Sequence, residues 1–133
     1  MTQAAKHSIF IVDDDQDDRE SIRDAFLASK HHQDYIFMKN GEQLIGHFTD
    51  VPAKLPSLIL LDLNMPGKDG RDVLKEMKAN KTYNLIPIIV LTTSSSEKDR
   101  KVSYELGANC FLTKPNSFRE LVEITDCIAK LWL

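Results

Sequence analysis

Residues 9–18 read IFIVDDDQDD: an apolar run from Ile9 to Val12 opens directly onto Asp13, Asp14 and Asp15, with Asp17 and Asp18 following. Two unit charges ~4 Å apart interact by about 4 kcal/mol at an effective dielectric near 20. Carboxylates crowded at one strand end must therefore be separated, protonated or neutralised. Other apolar runs end in complementary chemistry. SLILLD ends in Asp62, IPIIVLTT in Thr92 and Thr93, and CFLTKP in Thr113, Lys114 and Pro115. Asp13, Asp14 and Asp62 form a hard oxygen set suited to Mg²⁺, Lys114 adds a positive point charge, and Thr92 adds a hydroxyl. With metal and ammonium stabilising the transferring oxygens, the Asp62 carboxylate is able to attack an activated phosphoryl group and form an aspartyl phosphate. The added group carries roughly −1.5 to −2 charges, and Thr92 would move to hydrogen-bond it.

Bringing these residues together requires particular elements. Strand-like runs at Ser8–Val12, Tyr35–Met38, Ser57–Leu61, Ile86–Leu91 and Cys110–Leu112 alternate with amphipathic segments at 17–29, 41–49, 71–79, 96–107 and 117–132. Several runs are continuously apolar, as parallel strands buried on both faces are. The pattern is five βα units. It predicts an α/β three-layer sandwich with right-handed crossovers, a five-stranded parallel sheet in flavodoxin-like order 2-1-3-4-5, and five helices. Ligands of such sheets bind outside the carboxyl ends of the strands, at a topological switch point, which is where the residues above fall. The second strand, at an edge, ends in Met38, Lys39 and Asn40 and adds nothing obvious.

The 133 residues make one domain's worth of chain, 42% apolar and 28% charged, with a net charge of −3. An extended nucleic-acid backbone would require a basic face that this balance does not offer. No apolar run approaches the ~20 residues that span a bilayer, and MTQAAKHS lacks a signal-peptide core. The expectation is a cytoplasmic protein binding neither nucleic acid nor membrane. Cys110 and Cys127 match no zinc spacing and read as reduced core residues. His7, His31, His32 and His47 read as surface residues. Pro52 and Pro56 mark the loop before the third strand.

Over essentially its whole length the chain resembles the response regulator receiver domains of two-component signalling. The residues that carry the likeness are IVDDD at 11–15, LLDLNMPGKDG at 60–70, VLTT at 90–93 and FLTKP at 111–115, in that order and spacing. The long 46–57 connection and the stretch KANKTYNLIPIIVLTTSSSEKD are similar to the single-domain receivers that accompany bacterial phytochromes and other hybrid sensors. The resemblance implies a single receiver domain over 1–133 with no output domain, a switch rather than a turnover enzyme. Asp62 would be the phosphoacceptor. Asp14 and Asp62 would bind Mg²⁺ or Mn²⁺ directly, Asp13 largely through water, and the main-chain carbonyl of Asn64 would complete the ligands. Backbone at Leu63, Asn64 and Thr93 would contact the phosphoryl group. Thr92 would be the switch hydroxyl, Phe111 the switch aromatic without the commoner tyrosine hydroxyl, and Lys114 the phosphate-pairing lysine before a cis bond to Pro115. Asn64 and Ser94 would tune phosphoryl loss. A sensor histidine kinase is the implied phosphodonor. The fourth helix, fifth strand and fifth helix form the implied partner and homodimer face.

Plainer readings stand beside these. Asp15, Asp17 and Asp69 suit helix N-termini, and Ser95 or Ser96 suits the start of the fourth helix. Asp62 with Lys114 alone would make a buried ion pair, but that leaves Asp13 and Asp14 unexplained. An aspartyl-nucleophile phosphatase would need a second aspartate where Asn64 stands. A flavodoxin-like nucleotide binder would need a Gly- or Ser/Thr-rich phosphate loop where DDDQDD stands. A degenerate receiver that only binds partners would not need the complete acidic set. Trp132 and Leu133 close the sequence and are expected to cap the core.

Overall fold

The computed structural model describes residues 7–50 and 55–133. Strands β1 (Ser8–Val12), β2 (Asp34–Met38), β3 (Leu58–Leu61), β4 (Ile88–Thr92) and β5 (Cys110–Thr113) alternate with helices α1 (Gln16–Ala28), α2 (Gly41–Asp50), α3 (Gly70–Ala79), α4 (Glu97–Glu105) and α5 (Phe118–Trp132). The strands are all parallel in the order β2-β1-β3-β4-β5, as expected.

The two-residue period of a strand sorts the continuous apolar runs onto two faces. Phe10, Val12, Ile59, Leu61, Ile88 and Val90 meet Leu44 and Phe48 of α2 and Val73, Leu74 and Met77 of α3. Ile9, Ile11, Leu58, Leu60, Ile89 and Leu91 meet Ile22, Ala25 and Phe26 of α1 and Leu121, Ile128 and Ala129 of α5. Fully burying one such side chain stabilises by about 1.5–3 kcal/mol. The two cores hold the sheet rigid, and with it the line of strand ends. Trp132 and Leu133 pack half-buried against the second core. α4 is held lightly: Ser103 is its buried residue, while Val102 and Leu106 are half-buried. Gly107 follows α4 at a φ of 106°, the left-handed conformation that ends helices.

Several expectations shift. β4 begins at Ile88 rather than Ile86 because Pro87 has no N–H for the ladder, although its carbonyl accepts from Ile59 N at 3.0 Å. α2 runs to Asp50, so the expected 46–57 connection starts as helix; Pro52 lies outside the described residues. Cys127 is exposed and Cys110 half-buried, because position 127 falls outside the α5 stripe of Leu121, Thr125, Ile128 and Ala129. Phe118, at the first position of α5, is 50% exposed. Only His32 is a plain surface histidine. His7 bonds Ser57 Oγ at 2.9 Å, His31 bonds Asp126 Oδ1 at 2.8 Å, and His47 packs edge-on to Phe10. Among the described residues no helix is long and apolar enough to cross a membrane.

Candidate functional site

The parallel ladder carries the acidic residues one step beyond the strands. Asp13 N donates to Met38 O at 3.0 Å, and Asp62 N donates to Val12 O at 2.9 Å. Two interior strands thus end side by side in carboxylates, with Asp13 2% and Asp62 6% exposed. Asp14 lies exposed at the rim. Asp13, Asp14 and Asp62 each offer an oxygen within 4.8 Å of the others. That hard, all-oxygen donor set fits a divalent cation such as Mg²⁺ or Mn²⁺ and suits no soft metal.

The opposite wall comes from β4 and β5. Lys114 N donates to Thr92 O at 2.7 Å, extending the β4–β5 pairing and aiming the lysine stem across the strand ends. Lys114 Nζ lies 2.7 Å from Asp13 Oδ2, 2.7 Å from Asp18 Oδ2 and 3.6 Å from Asp62 Oδ2. The expected cis bond to Pro115 is absent, as no peptide bond among the described residues is cis. Trans is the lower-energy form of an X–Pro bond, and Lys114 reaches the carboxylates from it. Burial pushes the Asp13 carboxyl up to about 6, against hydrogen bonds from Lys114 and from the Asp15 amide. Burial pulls the Lys114 ammonium the other way. Hydrogen bonds to Asp13 and Asp18 overrule it and hold the group charged, above the usual lysine range.

Thr92 is fully buried, and its Oγ1 accepts from Ser94 N at a long 3.5 Å. Thr93 is exposed in the loop that follows. Phe111 is 9% exposed and packs in the α2–α3 core. Leu63 is buried and its carbonyl accepts from Gly70 N at 2.9 Å; Asn64 is exposed, its N–H 3.4 Å from Asp62 Oδ1. α3 starts so close to this turn that a Cβ at Gly70 would sit 2.5 Å from Asp62 O. Ser94 turns toward α4, its Oγ donating to Asp99 Oδ2 at 2.7 Å, and Arg71 Nη2 of α3 donates to Asp99 Oδ1 at 2.7 Å. The caps are as expected: Asp15, Asp69 and Ser96 each accept from amides in the first turn of their helices.

Three participants escaped the sequence reading. Asp18 pairs with Lys114. Arg19 Nη1 donates to Asp13 O at 2.7 Å. Tyr104 Oη of α4 accepts from Phe111 N at 3.0 Å, bringing a hydroxyl of α4 to β5. The helical phase of α1 would have revealed Asp18, which lies three residues after the N-cap and faces the strand end.

The response regulator receiver domain family matches residues 9–126. The response regulator Rcp1 of Synechocystis sp. is 38% identical over 131 residues, covering 94% of this chain and 88% of that protein. Among solved structures, the phosphorylated cyanobacterial phytochrome response regulator RcpA superimposes with a TM-score of 0.89 at 36% identity, over 96% of this chain and 94% of that one. The Mn²⁺-bound form of Rcp1 gives 0.85 at 36% identity, with the same coverage. A match over most of the chain, joined to acidic strand ends faced by a lysine, makes this protein a member of the response regulator receiver family.

Proposed function

We propose that the protein is a phosphorylatable signalling switch in which Asp62 accepts a phosphoryl group from a histidine of a sensor kinase. The observation that carries this reading is the grouping of Asp13, Asp14 and Asp62 at one end of the sheet, with Lys114 Nζ 3.6 Å from Asp62 Oδ2. An Asp62 carboxylate oxygen attacks phosphorus and the P–N bond breaks. The electron pair leaves with the imidazole nitrogen, which regains a proton. Asp13, Asp14, Asp62 and the Asn64 carbonyl would hold a Mg²⁺ or Mn²⁺ ion, whose charge would offset that of the transferring oxygens. Lys114 pairs with the phosphoryl group from the other side, and backbone at Leu63, Asn64 and Thr93 contacts it. Thr92 then bonds the group, drawing the lightly anchored β4–α4 segment inward while Phe111 repacks.

The reading describes a switch that loses its phosphoryl group slowly by hydrolysis, tuned by Asn64 and Ser94, and does not turn over substrates. The likeness to a phytochrome response regulator supports a photoreceptor kinase as donor. The reading also includes a cytoplasmic location and a weak homodimer through α4, β5 and α5.

The test is intact mass after incubation with acetyl phosphate and Mg²⁺. One added phosphoryl group, lost in Asp62→Asn and in the presence of a chelator, is the expected result. No gain in the wild type would overturn the reading in favour of a partner-binding module that works unmodified.

A further inference from the structure

Lys114 carries three N–H donors on a flexible four-carbon stem. Something must hold it if it is to meet a phosphoryl group without reorganising. Its partners differ in kind. Asp13 and Asp62 belong to the carboxylate set that fits a divalent cation. Asp18 stands outside that set, yet bonds Nζ at 2.7 Å, as closely as Asp13 does. A cation drawing on Asp13 and Asp62 would weaken their hold on the ammonium, whereas Asp18 would keep its own.

The geometry explains why Asp18 is free for this task. Its amide is tied to the N-cap, donating to Asp15 Oδ1 at 3.1 Å. A carboxylate at this helix position ordinarily turns back to the amide of the N-cap residue. Here the Asp15 amide already donates to Asp13 Oδ1 at 2.9 Å. With that position filled, the Asp18 carboxylate crosses to Lys114. Asp18 and Lys114 line a cleft between α1 and the start of α5, together with Ser21, Pro115 and Phe118.

We infer that Asp18 is a positioning residue for phosphoryl uptake: it tethers the Lys114 ammonium beside Asp62 independently of the cation. The inference rests on the phosphoacceptor reading. It assigns one N–H of Lys114 to Asp18 throughout the reaction and leaves another for the incoming phosphoryl oxygens.

The experiment compares Asp18→Asn and Asp18→Glu with the wild type. Its readouts are the rate of phosphoryl uptake from acetyl phosphate at saturating Mg²⁺, the Mg²⁺ dissociation constant by calorimetry, and the ¹⁵N resonance of the Lys114 ammonium in metal-free protein, assigned by its loss in Lys114→Arg. Losing one charge-assisted hydrogen bond at a part-exposed partner is expected to slow uptake about five- to tenfold in Asp18→Asn. The Mg²⁺ constant should move less than about threefold, since Asp18 is no metal ligand. The Lys114 resonance should shift, and Asp18→Glu should restore most of the rate, because a carboxylate is what the tether requires. Uptake by Asp18→Asn at the wild-type rate, or an unmoved Lys114 resonance, would overturn the inference. A rate loss matched by an equal loss of Mg²⁺ affinity would also overturn it, making Asp18 part of the metal site. If the wild type takes up nothing, or Asp62→Asn takes up as much, the phosphoacceptor reading fails separately, and the resonance still decides whether the tether exists.

Discussion

Asp13 is the most constrained side chain of the site: buried, hydrogen-bonded by Lys114, and close to a second carboxylate. Its folded-state value of about 6 lies above the 3.8 of an unperturbed aspartate. The folded chain therefore holds the Asp13 proton more tightly than the unfolded chain does. Its contribution to metal-free stability is full below about pH 4 and lost as the pH rises through about 6. The loss is on the order of 2–3 kcal/mol, and Asp13→Asn should not show it. Denaturant midpoints in EDTA from pH 4 to 7.5 check this; parallel curves for the two proteins would refute it. The gathering of Asp13, Asp14, Asp62, Thr92 and Lys114 was legible because each stands at the end of an apolar run, where a parallel sheet gathers its ends. Asp18 was not legible that way. In a row of aspartates, sequence separates caps from ligands only once the helix phase is known, and the phase depends on Asp15 taking the N-cap.

Elements differ in how firmly they are held. α4 has little apolar anchorage, and polar contacts supply much of its attachment: Ser96 caps it, Asp99 receives Ser94 and Arg71, and the Tyr104 hydroxyl bonds β5. Asp99 therefore joins the β4–α4 loop to the start of α3. Asp99→Ala should cost roughly 1 kcal/mol and raise amide exchange across residues 93–99 about fivefold, for the same loss taken locally. The strands of the sheet should keep their protection. Unchanged exchange in 93–99 would show that the loop is held by something else. The sequence pattern placed all ten elements within about two residues of their observed ends. Its misses have local causes. Pro87 delays β4, and the α5 turn that sets Ile128 inward sets Cys127 outward. The light packing of α4 follows from Glu97, Lys98, Asp99, Arg100 and Lys101, a polar run that leaves few side chains to bury.

At the scale of the molecule, the outer flank of β5 and α5 remains uncovered. Cys110, Leu112, Ile124, Cys127, Leu131 and Trp132 line an apolar groove there, and Leu131 is 79% exposed. A weak homodimer through this flank, strengthened by phosphorylation, should appear in ultracentrifugation as a concentration-dependent rise in mass and weaken in Leu131→Glu. Monomer at high concentration in both phosphorylation states would remove the dimer from the account. The strand order has a further consequence, one of timing. Asp13 and Lys114 are 101 residues apart, and β5, which the lysine directly follows, comes after the other four described strands and lies at the edge of the sheet. During synthesis every carboxylate of the site leaves the ribosome well before Lys114 does. A partly made chain that stops short of residue 114 therefore holds the acidic half of the site without its ammonium.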